Sequence, residues 1–204
     1  MKRYSNLMLI LLLVLTATQV FAQSAARRKQ IELFAGAAFP LAPDVFKDYY
    51  KIGGSLHGQY VIFPSPTLGI SFGAAFEGFT FDGDKYLEDL GLTGSGYTVE
   101  GSASIVELGV GVRPYLTKPE ANTQFFLFGM GTYNAISDEA TVSGPGVGTN
   151  SAKNDFNKVG VAAGAGFELP AGEKLNVIIQ GLTRFIFTEN ETTSFVGVTA
   201  GVVF

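Results

Sequence analysis

The sequence predicts an all-β fold: an eight-stranded antiparallel up-and-down transmembrane β-barrel, preceded by a signal peptide. Three observations support this prediction. Eight segments alternate bulky apolar residues with small or polar ones, the connections between them alternate between long and short, and the charges inside the segments fall opposite the bulky side chains. A period of two is typical of a strand whose two faces meet different surroundings.

The N-terminus has the three parts of a secretory signal peptide. Two basic residues near the start are followed by an unbroken apolar stretch from Leu7 to Leu15 and by the small-residue pattern Val20-Phe21-Ala22. The apolar stretch is shorter than the roughly 18 residues that a membrane-spanning helix needs, which disfavours an anchor. The predicted organisation is a signal peptide over 1–22, a short N-terminal periplasmic segment over 23–29 and the barrel over 30–204.

The composition narrows the class of protein and of partner. Residues 1–22 hold two of the 14 basic residues and none of the 18 acidic ones, so the mature chain carries 12 basic residues, 18 acidic residues and a net charge of −6. This balance argues against a nucleic-acid partner. There is no cysteine, and charged residues make up only 16% of the chain, while 26 residues are Gly and 18 are Phe. Since soluble domains average about 25% charged residues, we expect something other than water to cover part of the surface.

Each predicted strand is long enough to cross a bilayer when tilted. The strands are predicted over 30–39, 51–63, 67–81, 103–116, 123–136, 157–169, 175–187 and 193–204. No helical period of useful length is found outside the signal peptide.

The connections alternate in length. The first, third and fifth are long (40–50, 82–102 and 137–156), the second, fourth and sixth are short (64–66, 117–122 and 170–174), and the last is short to medium. Short periplasmic turns and longer outer loops are typical of outer-membrane barrels. An even strand count then places both ends of the barrel in the periplasm. Soluble up-and-down barrels also have eight strands, so length alone leaves both environments open.

The strand charges favour the membrane. They share one face with Gly, Ser and Ala, whereas bulky residues such as Ile31 and Leu33 occupy the other. A membrane barrel turns its apolar face to lipid and its polar face inward. We expect the glycines of this small-residue face to suit a narrow interior. Gly129 and Gly131 are predicted to be among them. The last strand, "FVGVTAGVVF", would aggregate if it were exposed to water.

With its signal peptide, eight amphipathic strands, alternating connections and closing aromatic residue, the chain resembles the small eight-stranded outer-membrane barrels of the OmpA/OmpX type. This resemblance implies residence in the bacterial outer membrane, with outer-membrane lipids and lipopolysaccharide as partners. It also implies that Phe204 is the assembly signal read by the barrel-assembly machinery. Because there is no Trp, the interfacial belts must be built from Phe and Tyr. Candidates are Tyr60, Phe63, Phe81, Tyr115 and Phe187.

The inward charges predict a polar plug in two layers. Counting along alternating strands groups Glu77, Glu107 and Arg184 in the outer half of the barrel. The same count groups Glu32, Arg113 and Glu168 nearer the periplasm, with His57 and Gln180 between the two layers. The fork of donors on one Arg guanidinium can bind two carboxylates, so each layer can pair its charges. The paired side chains are expected to form a plug that closes the lumen.

No catalytic, cofactor-binding or metal-binding residue is predicted. The stretch "DGDK" at 82–85 lacks the other ligands of a Ca²⁺ loop. Ser55 and His57 share a face and leave a lipid-modifying hydrolase as one alternative; a small pore or carrier is another. The favoured interpretation is a non-enzymatic structural or surface-interaction protein that meets a surface ligand through loops 82–102 and 137–156.

Overall fold

The computed structural model describes residues 29–146, 148–172, 175–189 and 191–204. The predicted signal peptide and residues 23–28 lie outside the described residues. The strands are β1 Lys29–Ala42, β2 Gly53–Ser65, β3 Leu68–Thr80, β4 Thr98–Pro114, β5 Gln124–Gly144, β6 Gly148–Pro170, β7 Asn176–Phe187 and β8 Thr192–Val203. They form a closed barrel in chain order, and every neighbouring pair is antiparallel. The predicted eight-stranded up-and-down barrel is confirmed.

The barrel closes because β1 pairs with β2 on one side and with β8 on the other. The backbone amide of Phe204 donates to the carbonyl of Ile31 at 2.9 Å, and the Ile31 amide donates back at 3.2 Å. The terminal strand therefore presents no free edge to pair with other chains.

Side chains alternate between the two faces of the barrel wall along most of each strand. On β1, the outward Leu33 is 53% exposed while the neighbouring inward Glu32 is 0% exposed. The outward face is a continuous apolar band that includes Ile31, Leu56, Phe72, Phe76, Val106, Leu108, Val110, Phe125, Leu127, Val159, Phe185 and Val198. Exposed apolar patches on water-soluble monomers rarely exceed a few hundred Å², so a band around the whole barrel suits lipid.

Two short helices occupy the first and third connections, where the sequence has no helical period of useful length. These are α1 Asp44–Tyr49 and α2 Gly83–Asp89. Asp82 caps α2 by accepting from the amide of Lys85 at 3.3 Å, and Phe46 of α1 packs edge-on against Phe79 at 4.9 Å between ring centroids. Helices of six or seven residues are too short to show a helical period, and tertiary packing stabilises them. None of the described helices has the length and apolarity needed to cross a bilayer.

The predicted loop over 137–156 is instead a β-hairpin. β5 continues to Gly144, β6 begins at Gly148, and the two pair throughout with only a tight turn between them. The positive φ of 80° at Gly146 is the backbone conformation that favours glycine in such a turn. β6 pairs with β7 only from Gly160 onward, so its Gly148–Val159 portion has one unpaired edge. The predicted loop 82–102 is also shorter, because β4 begins at Thr98.

Apolar clusters fill both ends of the interior. At the short-turn end, Phe63, Tyr115, Phe126 and Phe128 belong to one buried cluster. At the long-loop end, the second cluster contains Ala38, Phe46, Phe79, Ala103, Ile105, Ile136, Ile186 and Phe195. The polar residues of the interior pack among these clusters, as where the Arg113 guanidinium lies 4.6 Å from the ring centroid of Phe126.

Several assignments of faces need correction. Phe63 and Tyr115 are buried inside the barrel rather than forming an interfacial belt, whereas Tyr60 and Phe187 are exposed on the outward face. Phe81 packs at the long-loop end, 5.3 Å from the ring of Tyr50. Gly129 and Gly131 face outward, since β5 turns its even-numbered residues inward.

Candidate functional site

The eight residues predicted for the polar interior are all buried inside the barrel. They are Glu32, His57, Glu77, Glu107, Arg113, Glu168, Gln180 and Arg184. Each lies on the inward parity of its strand, the same parity that carries the end clusters. The hydrogen bonds among them separate into two networks, one nearer each end.

Arg184 organises the network nearer the long-loop end. Its Nε donates to Glu107 Oε2 at 2.8 Å, and its Nη2 donates to Glu107 Oε1 at 3.1 Å. Its Nη1 lies 2.7 Å from Glu77 Oε1, an ion pair without an aligned hydrogen bond. The guanidinium also sits 5.5 Å from the ring centroid of Phe195, so one cation serves two carboxylates and stacks on an aromatic ring.

His57 and Ser55 join this network without forming a catalytic triad. His57 Nε2 lies 2.5 Å from Ser55 Oγ and 3.1 Å from Glu77 Oε1. A triad needs the serine on one ring nitrogen and the acid on the other. Here both share Nε2, and Nδ1 has no hydrogen-bond partner among the described residues. The cluster is therefore not arranged to activate Ser55 as a nucleophile.

Arg113 organises the network nearer the short-turn end. It binds both carboxylate oxygens of Glu32, with Nη2 to Oε2 at 2.8 Å and Nη1 to Oε1. The same Nη2 donates to Gln59 Oε1 at 2.7 Å, and the guanidinium lies 4.6 Å from the ring centroid of Phe126. The bidentate geometry and the stacking together fix this cation.

Glu168 is held at the short-turn end by polar side chains that the sequence interpretation did not assign to the plug. Gln30 Nε2 and the Tyr115 hydroxyl each donate to it at 3.4 Å, and Asn176 donates to Oε1. These residues share the inward parity of Glu168, so face assignment alone could have included them. Gln180 joins neither network, since neither of its amide atoms has a hydrogen-bond partner in the described part of the chain.

The long-loop end is strongly acidic. Residues 40–53, 80–102, 137–158 and 187–193 carry twelve carboxylates and five lysines, a net charge of −7. Aromatic residues of α1, α2 and their flanks pack together there, with Tyr49 and Tyr86 at 5.2 Å between ring centroids. Within the described ranges, no group of three or more His, Asp or Glu side chains could hold a metal ion.

The residue predicted as an assembly signal lies at the opposite end. Phe204 follows β8 directly and is 61% exposed. Its backbone pairs with Ile31, so its ring is displayed at the edge of the barrel wall beside the first strand.

Comparisons with known proteins agree with the fold. No protein-family model matches the chain, and no curated protein matches it significantly. Among solved structures it is similar to Neisserial surface protein A, with a TM-score of 0.57, 10% identity, and coverage of 88% of this chain and 98% of that one. It is also similar to a major outer membrane protein from Thermus thermophilus, with a TM-score of 0.57, 14% identity, and coverage of 87% and 99%. The chain therefore has the fold of the small outer-membrane β-barrels, as its sequence predicts.

Proposed function

We propose that this protein is an integral, non-enzymatic barrel of the bacterial outer membrane that is closed to solutes and meets a partner through its long-loop end. The observation that carries the proposal is the filling of the interior. Two buried apolar clusters and two ion-pair networks fill the interior, and this packing favours a closed barrel over the alternative of a pore or carrier.

The outward apolar band supports the location. Its side chains would contact the acyl chains of outer-membrane lipids and lipopolysaccharide, which replace water over this surface. The exposed ring of Phe204, which directly follows β8, is the proposed contact with the barrel-assembly machinery. Both partner assignments rest on the resemblance and on the distribution of apolar residues.

The hairpin of β5 and β6 supports the interaction role. Beyond the barrel, the unpaired edge over Gly148–Val159 offers backbone groups to an extended peptide, as in β-strand addition. The net charge of −7 at this end favours a basic partner, because complementary charge steers encounter. An extended, basic segment of another protein fits both properties.

Conductance in planar bilayers tests whether the barrel is closed. The purified wild-type protein should insert without producing stable single-channel steps. A matched control is the same preparation after denaturation, which reports leaks from lipid defects. Steady, ion-selective steps that require folded protein would contradict the closed barrel and favour the pore.

A further inference from the structure

An apolar cavity of about 180 Å³ lies at the long-loop end, beside α1 and against the inner faces of β4 and β5. Its lining includes Phe46, Tyr50, Ala103, Ile105, Ile136 and Asp138. A buried apolar cavity of about 150 Å³ is enough to hold benzene. This cavity therefore has room for one six-membered ring or a branched alkyl group of similar size.

The apolar lining is built into the barrel. Ile105 and Ile136 are buried residues of two neighbouring strands, and Phe46 reaches over them from α1. Ala103 contributes only a methyl group to the wall, so its small side chain helps to keep the space open. The inner wall of the cavity is thus formed by packed elements, while the exposed side chains of Val45 and Phe156 complete the lining.

The cavity wall carries one carboxylate. The Tyr50 hydroxyl donates to Asp138 Oδ1 at 2.6 Å. Burial, followed by this hydrogen bond, raises the pKa of the Tyr50 hydroxyl, so Tyr50 remains a donor near neutral pH. Tyr50 occupies Oδ1, and Oδ2 of Asp138 is not bonded by any other described side chain, which leaves it for a ligand.

The surrounding charges do not neutralise Asp138. The lysines of the adjoining part of β6 have other partners: Lys153 lies 3.3 Å from Asp155, and Lys158 lies 2.9 Å from Glu189. The net charge of −7 across this end raises the local concentration of cations. An apolar cavity with a carboxylate in its wall suits a ligand that combines an apolar group with a positive charge.

We propose that this cavity binds a small organic cation, in which a ring or branched alkyl group fills the apolar space and an ammonium group pairs with Asp138. This assignment depends on the proposed function in one respect: the long-loop end must face the water outside the cell. The ligand class follows from the volume, the lining and the single carboxylate.

Titration of the purified barrel in lipid nanodiscs tests the assignment, with phenethylamine as the probe. The uncharged 2-phenylethanol and the anionic phenylacetate serve as comparators of similar size, and empty nanodiscs measure partitioning into lipid.

Phenethylamine should bind more tightly than either comparator. Asp138→Asn should weaken phenethylamine about tenfold and leave 2-phenylethanol unchanged, because only the charge-assisted bond is lost. The matched control Glu139→Gln removes a neighbouring exposed carboxylate outside the cavity lining and should change neither affinity.

A second variant and a direct contact measurement complete the test. Ala103→Leu should fill the cavity and abolish binding of both phenethylamine and 2-phenylethanol. If that variant does not fold, nuclear Overhauser contacts from the probe ring to the methyl groups of Ile105 and Ile136 in the wild type decide instead. Equal binding of the three probes, or an equal effect of Glu139→Gln and Asp138→Asn, would overturn the assignment. Absence of binding in a barrel that is closed and correctly oriented would overturn this assignment alone and leave the proposed function standing.

Discussion

At the scale of single residues, the interior depends on two arginines that each combine ion pairs with an aromatic stack. Arg113 binds Glu32 and lies over Phe126, while Arg184 binds Glu107 and lies near Phe195. Burying an ion is costly unless its charge and hydrogen bonds are matched. The pairing therefore determines whether the three carboxylates of Glu32, Glu77 and Glu107 can be tolerated inside a narrow barrel.

Replacing Arg184 with Ala should destabilise the barrel by about 3 to 5 kcal/mol, because it leaves Glu77 and Glu107 buried without their cation. Urea unfolding in lipid vesicles measures the free energy. Lys158→Ala is a matched control, since its exposed pair with Glu189 at 2.9 Å should contribute little. Adding Glu77→Gln and Glu107→Gln to Arg184→Ala should recover part of the lost unfolding free energy. An unchanged unfolding midpoint for Arg184→Ala alone would contradict the role of Arg184 in stabilising the two buried carboxylates.

Tyr50 should make stability depend on alkaline pH. Its hydroxyl has a pKa above the ordinary value of 10.0, first because it is desolvated and second because it donates to Asp138. The folded state thus binds this proton more tightly than the unfolded chain. The contribution is fully present below pH 10 and is lost as pH rises through the higher folded-state pKa.

The comparison of wild type with Tyr50→Phe measures that contribution. The difference in unfolding free energy between the two proteins should be smaller at about pH 11 than at about pH 8. Other tyrosines titrate in both proteins and cancel in the difference. A difference that stays constant or grows over this interval would show that Tyr50 does not retain its proton on folding.

Residue positions inside the barrel follow from the sequence only in part. Glu32, Glu107 and Arg184 alternate along their strands with bulky apolar residues. Because a strand has only two faces, this alternation indicates that the three side chains point into the barrel. Their partners depend on the relative height of distant strands, which the shear of the barrel sets. Face assignment alone would also place Gln59 and Tyr115 inside the barrel. Because these residues carry no charge that indicates a partner, their hydrogen bonds to Arg113 and Glu168 required the structure.

At the scale of elements, the barrel strands were predictable and their extensions were not. Inside the membrane zone, one face is apolar and the other small or polar, which produces a clear period of two. Beyond it both faces of the β5–β6 hairpin meet water, so the hydrophobic alternation disappears from 137–156 although the strand pairing continues. The helices α1 and α2 could not be predicted either, because six or seven residues are too few to show a helical period.

Inward glycines of β6 allow aromatic rings to lie against its backbone. A Cβ added at Gly164 would lie 2.2 Å from the carbonyl oxygen of Gly181 and 2.7 Å from Cε1 of Phe128. At Gly131, on the outward face of β5, an added Cβ would meet no atom within 4 Å. The two positions are therefore a matched pair in neighbouring strands.

Gly164→Ala should destabilise the barrel by about 1 to 3 kcal/mol, since overpacking forces the Phe128 ring or the backbone to move. Gly131→Ala should be neutral or stabilising by up to about 1 kcal/mol, because it restricts the unfolded chain without a clash. Thermal or urea unfolding under identical lipid conditions measures both. Equal effects of the two substitutions would refute the importance of close packing at Gly164.

At the scale of the whole molecule, three zones follow one another along the barrel. The wall is apolar outside, the interior is filled by apolar clusters and paired charges, and the long-loop end is acidic and carries two short helices. Such a division suits a protein with its wall in lipid and one end in water. The alternation of long and short connections predicts a direction for this division, with the acidic end outside the cell.

Single-cysteine labelling of intact cells tests this direction, and the chain is suited to it because it has no cysteine of its own. Ser95→Cys lies in the exposed segment after α2, and Glu120→Cys lies in the exposed short connection between β4 and β5. A membrane-impermeant maleimide should label Ser95→Cys on intact cells and Glu120→Cys only after the outer membrane is permeabilised. Detergent-solubilised protein, in which both cysteines should react equally, controls for intrinsic reactivity. The two sites lie at opposite ends of one barrel, so the opposite labelling pattern would show that the barrel has the reverse orientation. Labelling of both cysteines on intact cells would show that the barrel does not span the membrane as proposed.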